Sequence, residues 1–207
     1  MFSYIYPLTL KKSGSVINPQ LELLLYRNQY QLATPDAFYS DGNRYRPALA
    51  AIKQLKTFLP HVNSVLCLGT GVGSLVRVIA ANGYQPQYTL VELDKVVLGW
   101  AIELLGEYKS LSINPVCMDA QLFMERNKAL YDFIFIDIFN GRVVPPFVTQ
   151  LEFLNQCKQS LKPGGRVAFN YIMNVPLEWE ATIACFSTVY PDNIIIDLGV
   201  NKVLVSR

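Results

Sequence analysis

NSVLCLGTGVGSLVRV, spanning Asn63 to Val78, changes its hydrophobic period halfway along, and that change decides the fold. Val65 to Gly69 is a short apolar run suited to a strand buried on both faces, which glycines at 69, 71 and 73 then break. Beyond them Leu75, Val78 and Ile79 stand three and four apart, as on one face of a helix packing back on the strand. Strand, glycine turn and helix N-terminus together form a cradle for a polar or anionic ligand, because backbone N–H groups point outward and no Cβ blocks close approach. The stretch reads as a nucleotide-type site.

Working outward, Tyr88 to Val91 is a second apolar strand ending on Glu92, about 20 residues past the last glycine, where a ribose-hydroxyl acceptor is expected. Asp94 reads as the cap of a helix from Lys95 to Leu105. Strand patterns at 64 to 69, 87 to 92, 111 to 116, 131 to 137, 165 to 171 and 193 to 205 alternate with helical ones. That order predicts an α/β fold, a mostly parallel sheet covered by helices on both faces. The last stretch is interrupted by Gly199 to Asn201 and predicts a C-terminal antiparallel hairpin. Such sheets bind ligands beyond the carboxyl ends of their strands, so the third strand's end at Asp119-Ala120 and the fourth's at Asp137 to Gly141 belong to the same site. Asp119 also suits the N-cap of a helix from Ala120 to Arg126. Asp137 ends the buried run YDFIFID, where an ionised carboxylate costs several kcal/mol unless paired or functional. Asn170 and Tyr171, at the fifth strand's end, are within reach of that pocket.

Upstream, Tyr4 to Leu10 and Leu21 to Tyr26 are strand-like, with a short third run from Tyr30 to Ala33, and predict a small N-terminal β-hairpin appendage. Thr34 to Arg46 is rich in turn residues, aromatics and charges, as in a loop crossing a pocket mouth. A helix is expected from about Pro47 to Phe58, with Leu49, Ile52, Leu55 and Leu59 on its buried stripe. The predicted organisation is an appendage and substrate loop over residues 1–42 and a Rossmann-like domain over 43–207. Arg44 and Arg142 would be anion contacts for an acidic acceptor, and Pro145-Pro146 either walls the acceptor pocket or only starts the next helix.

Composition removes other classes. The net charge of +2, without a basic run, gives no footprint for nucleic acid. The four cysteines are scattered without CxxC spacing and are expected as buried thiols, and His61 is the one histidine, so neither a metal site nor a Ser-His-Asp triad is expected. The first residues, MFSYIYPLTLKKSG, lack a basic leader and a long apolar core, so neither a signal peptide nor a membrane span fits, and a cytoplasmic enzyme is expected.

The segments LGTGVGSL, VELD, DAQLFM, YDFIFIDIFNG and LKPGGRVAFN resemble, in that order, the class I S-adenosylmethionine-dependent methyltransferase fold, with seven strands. QLATPDAF, together with FIDIFNG followed by PPFVTQLEFL, is similar more narrowly to the spermidine synthase family. The resemblance implies that Gly69, Thr70, Gly71 and Gly73 approach the methionine part of S-adenosylmethionine or its decarboxylated form. It further implies that Glu92 holds the ribose, Asp119 with Ala120 addresses the adenine, and Asp137 orients and deprotonates a small amine acceptor. Tyr39, Asp41 and Asn140 are implied as substrate contacts, and a homodimer through the apolar N-terminal hairpin is implied as a family habit. The chain departs from the family at Val72 and Asn140, where spermidine-forming members carry aspartates, and at Tyr39-Ser40-Asp41, where a tyrosine-glutamine pair is usual. Its appendage is also shorter.

The expected function is therefore transfer of an aminopropyl or methyl group to a small amine, with no metal. A nucleoside-binding homologue without chemistry is the alternative, discriminated by whether Asp137 opens into a cavity. A dinucleotide oxidoreductase is disfavoured by Ser74 where its fingerprint needs glycine or alanine, and because it leaves Asp119 and Asp137 without roles.

Overall fold

A computed structural model describes residues 2–35 and 38–207. Its first sheet is antiparallel and has four strands in sequence order: β1 (Leu8–Ser13), β2 (Leu21–Tyr26), β3 (Gln29–Ala33) and β4 (Phe38–Asp41). The appendage is thus larger than the expected hairpin. The first strand starts at Leu8, because Phe2–Tyr4 is a 3-10 turn, and the expected loop over 34–46 contains β4 and a second 3-10 turn, Gly42–Arg44. Arg27 and Asn28 both adopt positive φ, 49° and 60°, the two-residue turn whose twist suits the β2–β3 hairpin. Leu21 and Leu23, two residues apart on β2, point the same way and are buried with Leu32.

Helix α1 (Arg46–Gln54) follows. Its buried stripe is Ala48, Ala51, Ile52 and Leu55, while Leu49 is 40% exposed, so small alanines rather than the expected leucine face the core. The second sheet then unfolds as predicted: β5 (Ser64–Leu68), α2 (Ser74–Ala81), β6 (Gln87–Glu92), α3 (Lys95–Leu105), β7 (Ile113–Cys117), α4 (Ala120–Arg126), β8 (Tyr131–Ile136), α5 (Leu151–Gln159), β9 (Leu161–Ile172), α6 (Pro176–Val189), β10 (Asn193–Asp197) and β11 (Asn201–Ser206). The strand order is β10-β11-β9-β8-β5-β6-β7, parallel from β9 through β7, with β11 and β10 antiparallel. Lys162 to Gly165 lies within β9, where the pairing with β8 shifts register.

Alternation along the central strands sends side chains into two separate cores. Val65, Cys67, Phe133 and Phe135 meet Ala51, Ile52, Val76, Ile79 and Leu98 on one face. Leu66, Leu68, Ile134 and Ile136 meet Met124, Phe153, Leu154 and Phe186 on the other. A third cluster joins the two sheets: Leu21, Leu23 and Leu32 pack on Val72, Val97 and Trp100. Cys67 and Cys157 are buried as expected, but Cys117 is exposed, because β7 is the edge strand. Among the described residues no helix is long and apolar enough to cross a membrane.

Candidate active site

The chain leaves β5 toward β6 and β7 on one side and returns to β8 on the other, so strand order reverses at the carboxyl ends of β5 and β8. A crevice is expected there, and a cleft of about 320 Å³ occupies it. Strand ends supply its floor: Gly69 and Gly71 after β5, Val91 and Glu92 at β6, Met118 to Ala120 after β7, and Asp137 to Asn140 after β8. Ile17, Asn18, Leu21 and Leu32 of the first sheet close one side with Val97, and Pro145 and Phe147 close another. Pro145 is therefore a wall of the cleft as well as the cap of a 3-10 turn, Pro146–Thr149.

Gly69 has φ +84°, and a Cβ there would stand 2.1 Å from the carbonyl oxygen of Asp137. Only glycine lets the turn lie against the end of β8. The Asp137 amide donates to Leu68 O at 2.8 Å, which fixes the carboxylate beside the turn. Gly73 and Thr70 shape this turn and are absent from the described lining of the cleft. Gly73 precedes α2 with its Cα against Leu105, and the Thr70 hydroxyl donates to Val91 O at 3.2 Å.

Glu92 corrects one expectation. Its Oε2 accepts from the amides of Thr70 and Gly71, both at 3.1 Å, and its Oε1 from the amide of Asp94, also at 3.1 Å. Two of the amides expected to face a polar or anionic ligand, those of Thr70 and Gly71, are thus satisfied by the protein's own carboxylate. Burial raises the Glu92 pKa, and the amides of Asp94, Gly71 and Thr70 reverse that only in part. Oε1, which accepts only from Asp94, keeps lone-pair capacity for a further donor. Asp94 is the N-cap of α3, accepting from Val96 and Val97, and its Oδ2 also accepts from Ser15 Oγ at 2.5 Å and Asn18 Nδ2 at 2.7 Å. Asp119 caps α4 through the Leu122 amide at 3.1 Å and also lines the cleft.

Asp137 lines the cleft, and its Oδ1 accepts from Tyr45 Oη at 2.9 Å and from Asn170 Nδ2 at 2.7 Å. Asn170 is wholly buried, and its Oδ1 accepts from Asn201 Nδ2 at 3.0 Å, which fixes its orientation. Burial lifts the Asp137 carboxyl to about 7, against the two hydrogen bonds and with a further push from Glu92. The Tyr45 phenol is raised well above its ordinary value by burial and by Asp137, and so remains a donor.

Tyr45 was missed by sequence reasoning. It stands one residue before the end of the stretch expected as a loop, and its one signal is its place just before a helix with proline in its first turn. Asn140 lines the cleft as expected. Asp41 is not among the described lining residues and accepts from Gln31 Nε2 within the first sheet at 2.8 Å. The Tyr39 side chain lies outside the described residues. Arg44 donates to Arg27 O at 3.0 Å, and neither it nor Arg142 lines the cleft.

With this geometry in view, three comparisons bear on the chain. A polyamine aminopropyltransferase of Vibrio vulnificus (strain CMCP6) is 30% identical over 116 residues, 55% of this chain and 39% of that protein. The chain thus covers well under half of that relative's length. The crystal structure of a probable spermidine synthase from Corynebacterium glutamicum ATCC 13032 superposes with a TM-score of 0.74 at 20% identity, covering 97% of this chain and 80% of that one. Human methyltransferase-like protein 13 in complex with SAH superposes at 0.63 and 20% identity, covering 79% and 80% of the two chains, which places the fold among class I methyltransferase-like folds. The model of the spermine/spermidine synthase domain matches residues 48–181, from α1 through the cleft to α6, and on that match the chain belongs to the spermine/spermidine synthase domain family.

Proposed function

We propose that the cleft binds a nucleoside sulfonium, the decarboxylated form of S-adenosylmethionine, and that Asp137 directs transfer of its aminopropyl group to a primary amine. The strand order supports a ligand lying across the sheet: adenine at Asp119 and Ala120 after β7, ribose at Glu92 on β6, sulfur over Gly69 and Gly71 after β5, acceptor at Asp137 after β8. The observation that carries the choice of donor is electrostatic. The described lining residues include three carboxylates, Glu92, Asp119 and Asp137, and no Lys, Arg or His, and two amides of the glycine turn already serve Glu92. A ligand carboxylate would meet no cation among the described lining residues and would compete with Glu92 for the Thr70 and Gly71 amides, whereas added positive charge is favoured.

Asp137 has the properties of a base for this step. Its carboxyl titrates near neutrality, Tyr45 and Asn170 fix its orientation through Oδ1, and the residue lines the cleft. In the reaction the amine lone pair forms the new N–C bond as the C–S bond breaks and its electron pair returns to sulfur, and Asp137 takes the proton that the nitrogen sheds. Sulfonium is a good leaving group, so alignment and desolvation are the protein's main contribution. Calorimetric titration with S-adenosylmethionine, the decarboxylated form and S-adenosylhomocysteine tests the donor. The decarboxylated form should bind tightest, and Glu92→Ala should weaken it by at least tenfold; tighter binding of the two carboxylate-bearing ligands would assign methyl transfer instead.

A further inference from the structure

We infer that the donor creates the base it needs: its two positive charges, arriving beside Glu92 and Asp137, expel the proton that Asp137 otherwise holds, so the amine meets a carboxylate only where a donor is bound. This rests on the proposed donor and adds a control of that same site. The geometry is a cluster of acids around one turn. Glu92 takes the amides of Thr70 and Gly71 on one side of it. On the other, Gly69 lies so close to Asp137 that a Cβ would stand 2.1 Å from its carbonyl oxygen. Asp119 lines the same cleft of about 320 Å³. The described lining holds no Lys, Arg or His, and residues 1 and 36–39, whose side chains lie outside the description, include none. Like charges gathered in one cleft resist joint ionisation, so one of them keeps a proton.

Hydrogen-bond partners decide which. Glu92 accepts three backbone amides, which favour its charged form, whereas Asp137 accepts from two neutral side chains, Tyr45 and Asn170. Burial, with a push from Glu92, holds Asp137 up at about 7. The other groups facing it keep their protons or have none to lose: burial and Asp137 raise both the Tyr45 phenol and the Cys67 thiol, and Asn170 does not titrate. A sulfonium and an ammonium brought into this cluster favour the carboxylate. Neither donor charge changes near neutrality, since a sulfonium has no proton and a primary ammonium titrates at about 10. Transfer of the aminopropyl group then leaves a neutral thioether, 5′-methylthioadenosine, and the proton shed by the amine nitrogen returns to Asp137. The charge that ionised the base is gone once the base has acted.

Calorimetry at about pH 6, in buffers of different ionisation enthalpy, counts the protons. The decarboxylated donor should release at least about half a proton on binding, and 5′-methylthioadenosine less than about a fifth. From about pH 6 to 8 donor affinity should rise roughly tenfold while that of the thioether changes less than about twofold. Above about pH 8 the carboxyl is ionised already, and donor affinity reports the contacts of the cleft alone. Asp137→Asn should lose most of the release and of the pH dependence, and the contrast between the two ligands on the wild type tests the inference even where that variant does not fold. A donor that binds with no proton release and a flat pH profile would overturn the inference and leave the donor assignment standing. Release undiminished in Asp137→Asn would do the same, by placing the proton on Glu92. Failure to bind the donor would overturn both.

Discussion

Asp137 is held where its protonation state is finely balanced. Burial favours the neutral acid, and Tyr45 and Asn170 favour the carboxylate, so the group ionises at about 7. The reaction needs the ionised form, and kcat/KM should therefore rise with pH through about 7. Tyr45→Phe removes one of the two bonds that lower the pKa, so the midpoint of that profile should move upward while donor affinity in calorimetry stays the same. Asp137→Asn should cost at least about a hundredfold in rate. The same group has a signature in stability. Its folded pKa lies above the unfolded value of about 4, so between about 4 and 7 the native state holds a proton that the unfolded chain has lost, and stability falls as pH rises through that window. Urea denaturation across this range should show that slope in the wild type and a shallower one in Asp137→Asn, where Glu92 with its raised pKa still contributes. The carboxylate was legible because it ends an apolar strand. Asn170 was legible as a strand-end residue in reach of the same pocket, but Tyr45 was not, since it lies 92 residues away and only the folded sheet brings it to Asp137.

At the scale of elements, the loop between β1 and β2 is latched to the start of α3. Ser15 and Asn18 both donate to Asp94 Oδ2, and the Ser15 hydroxyl in turn accepts from the amides of Ile17 and Asn18, so Ile17 and Asn18 are carried into the cleft wall. Burial acts to raise the Asp94 pKa, but the bonds from Asn18, Ser15, Val96 and Val97 together hold it below the ordinary range. The latch therefore contributes stability above about pH 4, which is lost as pH falls through the lowered folded value. Asp94→Ala removes both latch and helix cap and should lower stability by about 2–3 kcal/mol by chemical denaturation. Ser15→Ala leaves the cap in place, so it should speed nucleoside dissociation in stopped-flow measurements with little change in Tm. The cap itself was legible from Asp94 standing before a helical pattern. Its second use was not, because 79 residues separate it from Ser15, and β4 escaped notice because its segment carries turn residues and pairs only once β3 is in place.

The whole molecule is two sheets joined over one glycine turn. Val72, in the middle of that turn, is wholly buried and packs with Val97 and Trp100 of α3 and with Leu21, Leu23 and Leu32 of the first sheet. Arg77 of α2 reinforces the joint, lying over the rings of Tyr30 and Tyr108 and pairing with Glu107. The sequence pattern of the parallel sheet was readable because each strand and helix carries its own period, whereas the packing of the first sheet onto Val72 depends on surfaces that exist only after both sheets have formed. Read from sequence, Val72 is a missing aspartate, a charge lost from a ligand site. In the structure it is the contact that seats one sheet on the other, and it is not among the described lining of the cleft. The two views predict opposite outcomes for Val72→Asp. A restored ligand carboxylate would tighten amine or donor binding at small cost in stability. A buried, unpaired carboxylate at the joint should instead lower stability by about 3 kcal/mol or more, roughly a 10 °C fall in Tm, and weaken donor binding as the cleft loses its wall. Val72→Ala, which removes two methyl groups and adds no charge, should lower stability by about 1–3 kcal/mol with the same direction of effect on binding. Thermal denaturation of both variants, with and without donor, decides between them: a thermally robust Val72→Asp protein with improved affinity would show that the turn faces ligand rather than the first sheet.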